Sequence, residues 1–119
     1  MANLIVCLGT GKGTWTEVFK LVSQGPWEKI FIVTNEFGRD NAKIKDRRVE
    51  YILINPEEEM ETIGLAIKEK LTGRVTGWEA GLNFVSGTGK EHMAVLLAVM
   101  TLGLPFRLVN IKNDMVNIL

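Results

Sequence analysis

Two glycine-punctuated segments carry the side chains most suited to chemistry. Leu8-Gly9-Thr10-Gly11-Lys12-Gly13-Thr14 and Ser86-Gly87-Thr88-Gly89-Lys90-Glu91-His92-Met93 each follow an apolar run and each open a helix-like stretch. Glycines let the backbone turn tightly and approach a ligand closely, and the first turn of the following helix offers unpaired N–H groups and a partial positive charge. Hydroxyl and ammonium side chains at these positions add donors. Two such loops facing each other can hold a polyphosphate.

Neither segment follows a standard nucleotide motif. The first is G-x-G-x-G rather than G-x-G-x-x-G, and no acidic residue ends the second strand at a ribose-binding position, which disfavours a dinucleotide cofactor. In the second, Phe84 stands where a P-loop needs glycine, and Glu91 replaces the Mg²⁺-binding Ser or Thr. Tight strand-to-helix turns alone would account for the glycines. Lys90 favours an anion, because a lysine in the first turn opposes the helix dipole and costs a few tenths of a kcal/mol unless an anion sits there. Lys12 reads as a solvated loop lysine. His92, the only histidine, has no Cys or carboxylate at ligand spacing and reads as a polar packing residue; neither a metal nor a cofactor is called for. Trp15, Trp27 and Trp78 show no repeated spacing of a stacking platform, although Trp15 stands beside the first loop, where it can stack on a base. Tyr51 and Glu36 have no recognisable catalytic partners.

The elements that must position these loops alternate between strand and helix. Residues 3–8 and 29–34 are short apolar runs, the second unbroken as expected of a parallel strand covered on both faces. Between them a helix is predicted over 14–23, with Thr14 and Glu17 in a capping-box pattern and Gly25-Pro26 as a stop. Polar residues 35–46 hold a short helix or loop, 49–54 is a third strand closed by Asn55-Pro56, and 57–71 is a helix with an acidic start. Met60, Ile63, Ile67 and Leu71 share one face of it and read as core. The connection 72–77 is the loosest, and Glu79-Ala80-Gly81-Leu82 reads as helix-to-sheet packing. Then come strand 80–85, the second loop, a nearly all-apolar helix 91–102, strand 105–111 and a short sixth strand over 115–119. This order predicts a Rossmann-like three-layer α/β/α sandwich with a mainly parallel sheet of five to six strands. Ligands in such sheets bind beyond the carboxyl ends of the strands, so Thr10, Lys12, Asn35 and Lys90 gather at one rim.

A chain of 119 residues, 46 % hydrophobic, fits a single domain, 1–119, with one buried core. Fourteen basic and fourteen acidic residues cancel, so no overall field attracts long nucleic acid or an anionic membrane. The lone Cys7 excludes an internal disulfide and a cysteine-rich zinc site. With no signal core and no apolar run of about eighteen residues, a cytoplasmic protein is expected.

The strand ending at Phe84-Val85, the loop from Ser86 to Met93 and the small-residue helix before Gly103 resemble the CRISPR-associated Rossmann-fold family, whose loop has a Gly-Gly-Thr-Lys-x-Met form. Here one residue separates Thr88 from Lys90, a departure in register. The strand ends Gly9-Thr10 and Val33-Thr34-Asn35 suit the same family. The resemblance implies a homodimer that binds cyclic tetra- or hexa-adenylate across its two-fold axis in type III CRISPR antiviral signalling, as a stand-alone sensor, a sensor cut from a larger protein, or a ring nuclease. In the last case cleavage is metal-independent: a ribose 2′-OH attacks the adjacent phosphate and leaves a 2′,3′-cyclic phosphate. Ligand-binding residues are then Gly9, Thr10, Gly11 and Lys12 of the first loop, Thr34 and Asn35 of the corner, and Ser86, Gly87, Thr88, Gly89 and Lys90 of the second. By the same resemblance Lys90 stabilises the phosphorane charge and Thr10 orients the 2′-OH or the scissile phosphate, the catalytic pair. The competing classes are a small nucleotide- or dinucleotide-dependent enzyme and an interaction protein whose loops bind nothing. Lys90→Ala separates them: a packing role predicts little change in melting temperature and unchanged ligand titration, whereas a phosphate role predicts an affinity loss of about 1 kcal/mol or more.

Overall fold

Strand β1 (Asn3–Cys7) is a run of five residues without one exposed position, and so is β2 (Ile30–Thr34). Side chains alternate across a strand, so such a run needs cover on both faces. A computed structural model supplies that cover; it describes residues 2–76 and 79–119, and the expectations on Gly77 and Trp78 lie outside the described residues. The chain is an α/β protein with a six-stranded sheet in the order β3-β2-β1-β4-β5-β6, where β3 is Val49–Leu53, β4 Ala80–Asn83, β5 Phe106–Lys112 and β6 Met115–Ile118. All neighbouring pairs are parallel except β5 with β6, which is antiparallel.

Helix α1 (Trp15–Gln24) packs Val18, Leu21 and Val22 on one sheet face against Leu4, Val6, Ile30 and Ile32. The opposite face, Ile5, Cys7, Phe31 and Val33, is covered by α3 (Met60–Leu71) and α4 (Gly89–Thr101). The predicted stripe on α3 is core: Ile63, Ile67 and Leu71 are buried and Met60 packs at the edge. Gly64 lets the two helices approach, since a Cβ there would stand 3.0 Å from the Leu97 side chain and 3.2 Å from the Ala94 carbonyl. Seven-residue α2 (Glu36–Ala42) follows β2, with Asn35 as its N-cap. Among the described residues no helix covers β5 and β6 on the α4 side, where Phe106, Leu108, Met115 and Leu119 stay exposed.

Element ends differ from the sequence expectation where a side chain redirects the backbone. The helix expected from residue 57 begins at Met60, because the Asn55 side chain and carbonyl accept the Glu57 and Glu58 N–H groups and hold that stretch in a turn. Strand β4 stops at Asn83, whose amide donates to the Val109 carbonyl at 2.8 Å and whose oxygen accepts the Val85 N–H at 3.0 Å. The capping box expected at Thr14 is not formed. Residues Lys12–Thr14 make a 3₁₀ turn that runs straight into α1, Thr14 is already helical, and Glu17 reaches Asn83 at 3.3 Å instead. The box belongs to α4, where Thr88 and Glu91 exchange side-chain and backbone hydrogen bonds.

Away from the strands' carboxyl edge, Arg48 fastens the segment after α1. Its guanidinium donates to the Val22 and Gly25 carbonyls at 2.8 and 2.9 Å and pairs with Asp46 at 2.8 Å, the two side chains being 30 % and 23 % exposed. Hydrogen bonds from Arg48 hold the Asp46 carboxyl down to about 2 from its ordinary 3.8. A depressed carboxyl contributes stability that is complete above the unfolded value and is lost as pH falls through the folded one. Asp46→Asn is therefore expected to lower unfolding free energy by about 1–3 kcal/mol at neutral pH. In urea titrations that gap from the parent protein should close between about pH 4 and pH 2; a gap unchanged across that range contradicts the pairing.

Candidate functional site

The two glycine loops meet at the carboxyl ends of β1 and β4. The Gly9 N–H donates to Ser86 Oγ at 2.9 Å, and a Cβ on Gly9 would stand 3.0 Å from the Gly87 nitrogen and 3.1 Å from its Cα. Gly87 has φ +97°, a conformation side chains rarely adopt, and a Cβ there would meet Glu91 Oε1 at 2.9 Å and Cys7 Cβ at 3.0 Å. These two glycines are thus required by the join itself. Gly11, Gly13 and Gly89 are not: a Cβ on any of them meets nothing within 4 Å, and none has positive φ.

Between the loops lies a cleft of about 560 Å³. Its walls come from Gly9, Thr10, Gly11 and Thr14 on one side, Val85, Gly87, Thr88 and Glu91 on another, and Asn35, Pro56 and Glu57 across the sheet edge. The chain runs outward from β1 to β2 and β3, then returns to β4 beside β1 and continues to β5. The cleft therefore stands at the point where the strand order reverses, the place where open parallel sheets leave a crevice. First-turn N–H groups of α4 at Gly89 and Lys90 have no carbonyl four residues back to bond.

Several residues expected to touch ligand are committed inside the protein. Thr34 is 2 % exposed and its hydroxyl donates to the Leu8 carbonyl at 2.7 Å; Ser86 is also 2 % exposed and holds Gly9. Asn35 lines the cleft while its Oδ1 accepts the Gly38 N–H at 2.9 Å. Thr10 is exposed on the lining. The two lysines stand off the lining. Lys12 Nζ lies 5.6 Å from the Trp15 ring and 5.7 Å from the Phe37 ring. Lys90 Nζ donates to the Glu58 carbonyl at 2.9 Å, so the ammonium that opposes the helix dipole already has a partner in the protein. The charged side chains on the walls are Glu57 and Glu91.

The remaining polar groups fix the loops. His92 Nε2–H donates to the Ser86 carbonyl at 2.7 Å and the ring stacks on Phe84 at 4.8 Å, so the histidine secures the second loop from below. Trp15 is buried, its indole N–H donating to the Gly9 carbonyl at 2.8 Å, which leaves it a support for the first loop rather than a free stacking surface. Burial, and then the Glu91 carboxylate, push the Cys7 thiol up, so it stays protonated and is no nucleophile. Among the described residues no group of three or more His, Cys, Asp or Glu could hold a metal ion, and no helix is long and apolar enough to cross a membrane.

Pro56, Glu57 and Glu91 were not singled out as site residues from sequence. The Thr88-x-x-Glu91 spacing signals Glu91 as a cap. Pro56 and Glu57 carry no local signal, because only the sheet order brings the end of β3 to the glycine loops. Fold and site together define a Rossmann-like α/β protein with a crevice at its switch point. The chain matches no protein-family model, and no curated protein matches it.

The join generates a stability prediction. Ser86→Ala strands the Gly9 N–H and should cost about 1–3 kcal/mol, and Gly87→Ala about the same or more through its positive φ. Gly11→Ala should leave unfolding within about 0.5 kcal/mol of the parent. Denaturant titration of the three variants checks the contrast, and equal losses at Gly11 and Gly87 contradict it.

Proposed function

We propose that the protein is a receptor for a phosphate-bearing nucleotide messenger, of the cyclic oligoadenylate class, held at the switch-point cleft of a homodimer. The observation that carries this reading is Gly11. It lines the cleft, needs its missing Cβ for no contact within the protein, and stands on the loop opposite the α4 N-terminus. A backbone left bare toward a crevice is what close approach of a phosphate requires. The resemblance to the CRISPR-associated Rossmann-fold family supplies the ligand class. Val85 and Met93, 38 % and 57 % exposed near the rim, offer apolar surface for an isologous contact, and a two-fold ligand then meets two copies of each loop.

Binding has more support than cleavage. A catalytic Lys90 must first leave the Glu58 carbonyl, and a polyanion must also tolerate Glu57 and Glu91, so phosphate recognition falls chiefly to main-chain N–H groups and Thr10. Ring opening by in-line attack of a 2′-OH would need only positioning and charge stabilisation, and it follows binding as a secondary activity.

The test is incubation of the protein in EDTA with radiolabelled cyclic tetra-adenylate, then cyclic hexa-adenylate, followed by gel shift and chromatography of products. A shifted band with intact ring is the expected result, and linear products ending in a cyclic phosphate add the nuclease activity. Gly11→Ala, folded as the parent, should weaken the shift about tenfold or more. No shift with either ring overturns the reading in favour of a mononucleotide or dinucleotide ligand.

A further inference from the structure

Beside the switch-point cleft a second hollow of about 410 Å³ lies between α2 and the end of β3, and Asn35 and Pro56 line both. Asn35 and Pro56 are thus walls common to the two spaces. Phe37 and Leu53 on the walls of the second hollow are 43 % and 38 % exposed, although both are large apolar side chains. Phe37 is nonetheless held in place, its ring 6.3 Å from that of Trp15 with the Lys12 ammonium 5.7 Å away. Asn35 and Asn55 give their carbonyl oxygens to the N–H groups of Gly38 and Glu57, at 2.9 and 3.0 Å. That assignment leaves each side chain its amide N–H₂, a donor only, and both residues line the hollow.

An aromatic ring fixed on one side, an aliphatic wall and two amide donors suit a flat heterocycle with ring-nitrogen acceptors. We propose that this hollow is a purine-base pocket, in which the base of a nucleotide stacks on Phe37 while its phosphate lies against the glycine loops. The assignment rests on the phosphate reading of the cleft and adds to it where the base goes and which residues select it. Phe37, rather than the buried Trp15, is then the stacking surface.

The test compares adenosine 5′-monophosphate with ribose 5-phosphate, by affinity and by saturation-transfer NMR. The parent protein should bind the nucleotide at least about tenfold more tightly, with saturation reaching the base protons. Phe37→Ala should abolish that advantage while leaving ribose 5-phosphate affinity unchanged, and Phe37→Tyr should restore it. Leu53→Glu, on the other wall, should reduce the same advantage and serves if Phe37→Ala melts early. Equal affinities for the two probes in the parent, or an advantage intact in folded Phe37→Ala and Leu53→Glu, overturns the base pocket and leaves the phosphate site standing. Binding of neither probe by protein that shifts a cyclic oligoadenylate overturns the base pocket alone, and binding of neither by protein that shifts no ring overturns both.

Discussion

Everything at the carboxyl edge of the sheet depends on the contact between Gly9 and the Ser86-Gly87 step. It joins groups separated by 77 positions in the chain, and it is possible only because neither backbone carries a side chain at the point of touch. Trp15 supports it from the first loop through the Gly9 carbonyl, and His92 from the second through the Ser86 carbonyl. The Thr88–Glu91 box then fixes where α4 begins, and with it the direction of the helix's free N–H groups. A serine hydroxyl and two glycines thus set the width of the crevice.

The architecture was legible because strand and helix periods are local. Unbroken runs such as Ile30 to Val33 have the pattern of strands covered on both faces, and the α3 stripe has that of a buried helix face. Boundaries were less legible where polar side chains compete with the backbone, as Asn55 delays α3 and Asn83 ends β4. The capping box shows the same limit: Thr14-x-x-Glu17 and Thr88-x-x-Glu91 have equal spacing, and only the 3₁₀ turn through Lys12–Thr14 distinguishes them.

At the site, residue type identified the loops but not the office of each side chain. Thr34 and Ser86 have the hydroxyls expected of ligand contacts, yet burial turns them toward the Leu8 carbonyl and the Gly9 N–H. Lys90 signalled an anion by its place in the helix, and the Glu58 carbonyl answers part of that signal from within the protein. Conversely Phe37 sat in a segment read only as polar, and its exposure beside Pro56 follows from the adjacency of β2 and β3.

The position of β4 has a consequence for how the molecule comes into being. Strands β1, β2 and β3 are neighbours in sequence order and can associate as soon as they exist, whereas the β1–β4 pairing must close a loop of more than seventy residues. Half of the crevice is therefore absent until the last third of the chain has docked. During synthesis, a ribosome-bound chain that ends at α3 would display a half-built sheet with one glycine loop and no counterpart. A complete crevice then reports the docking of β4 and α4 beside β1, not the folding of any one segment.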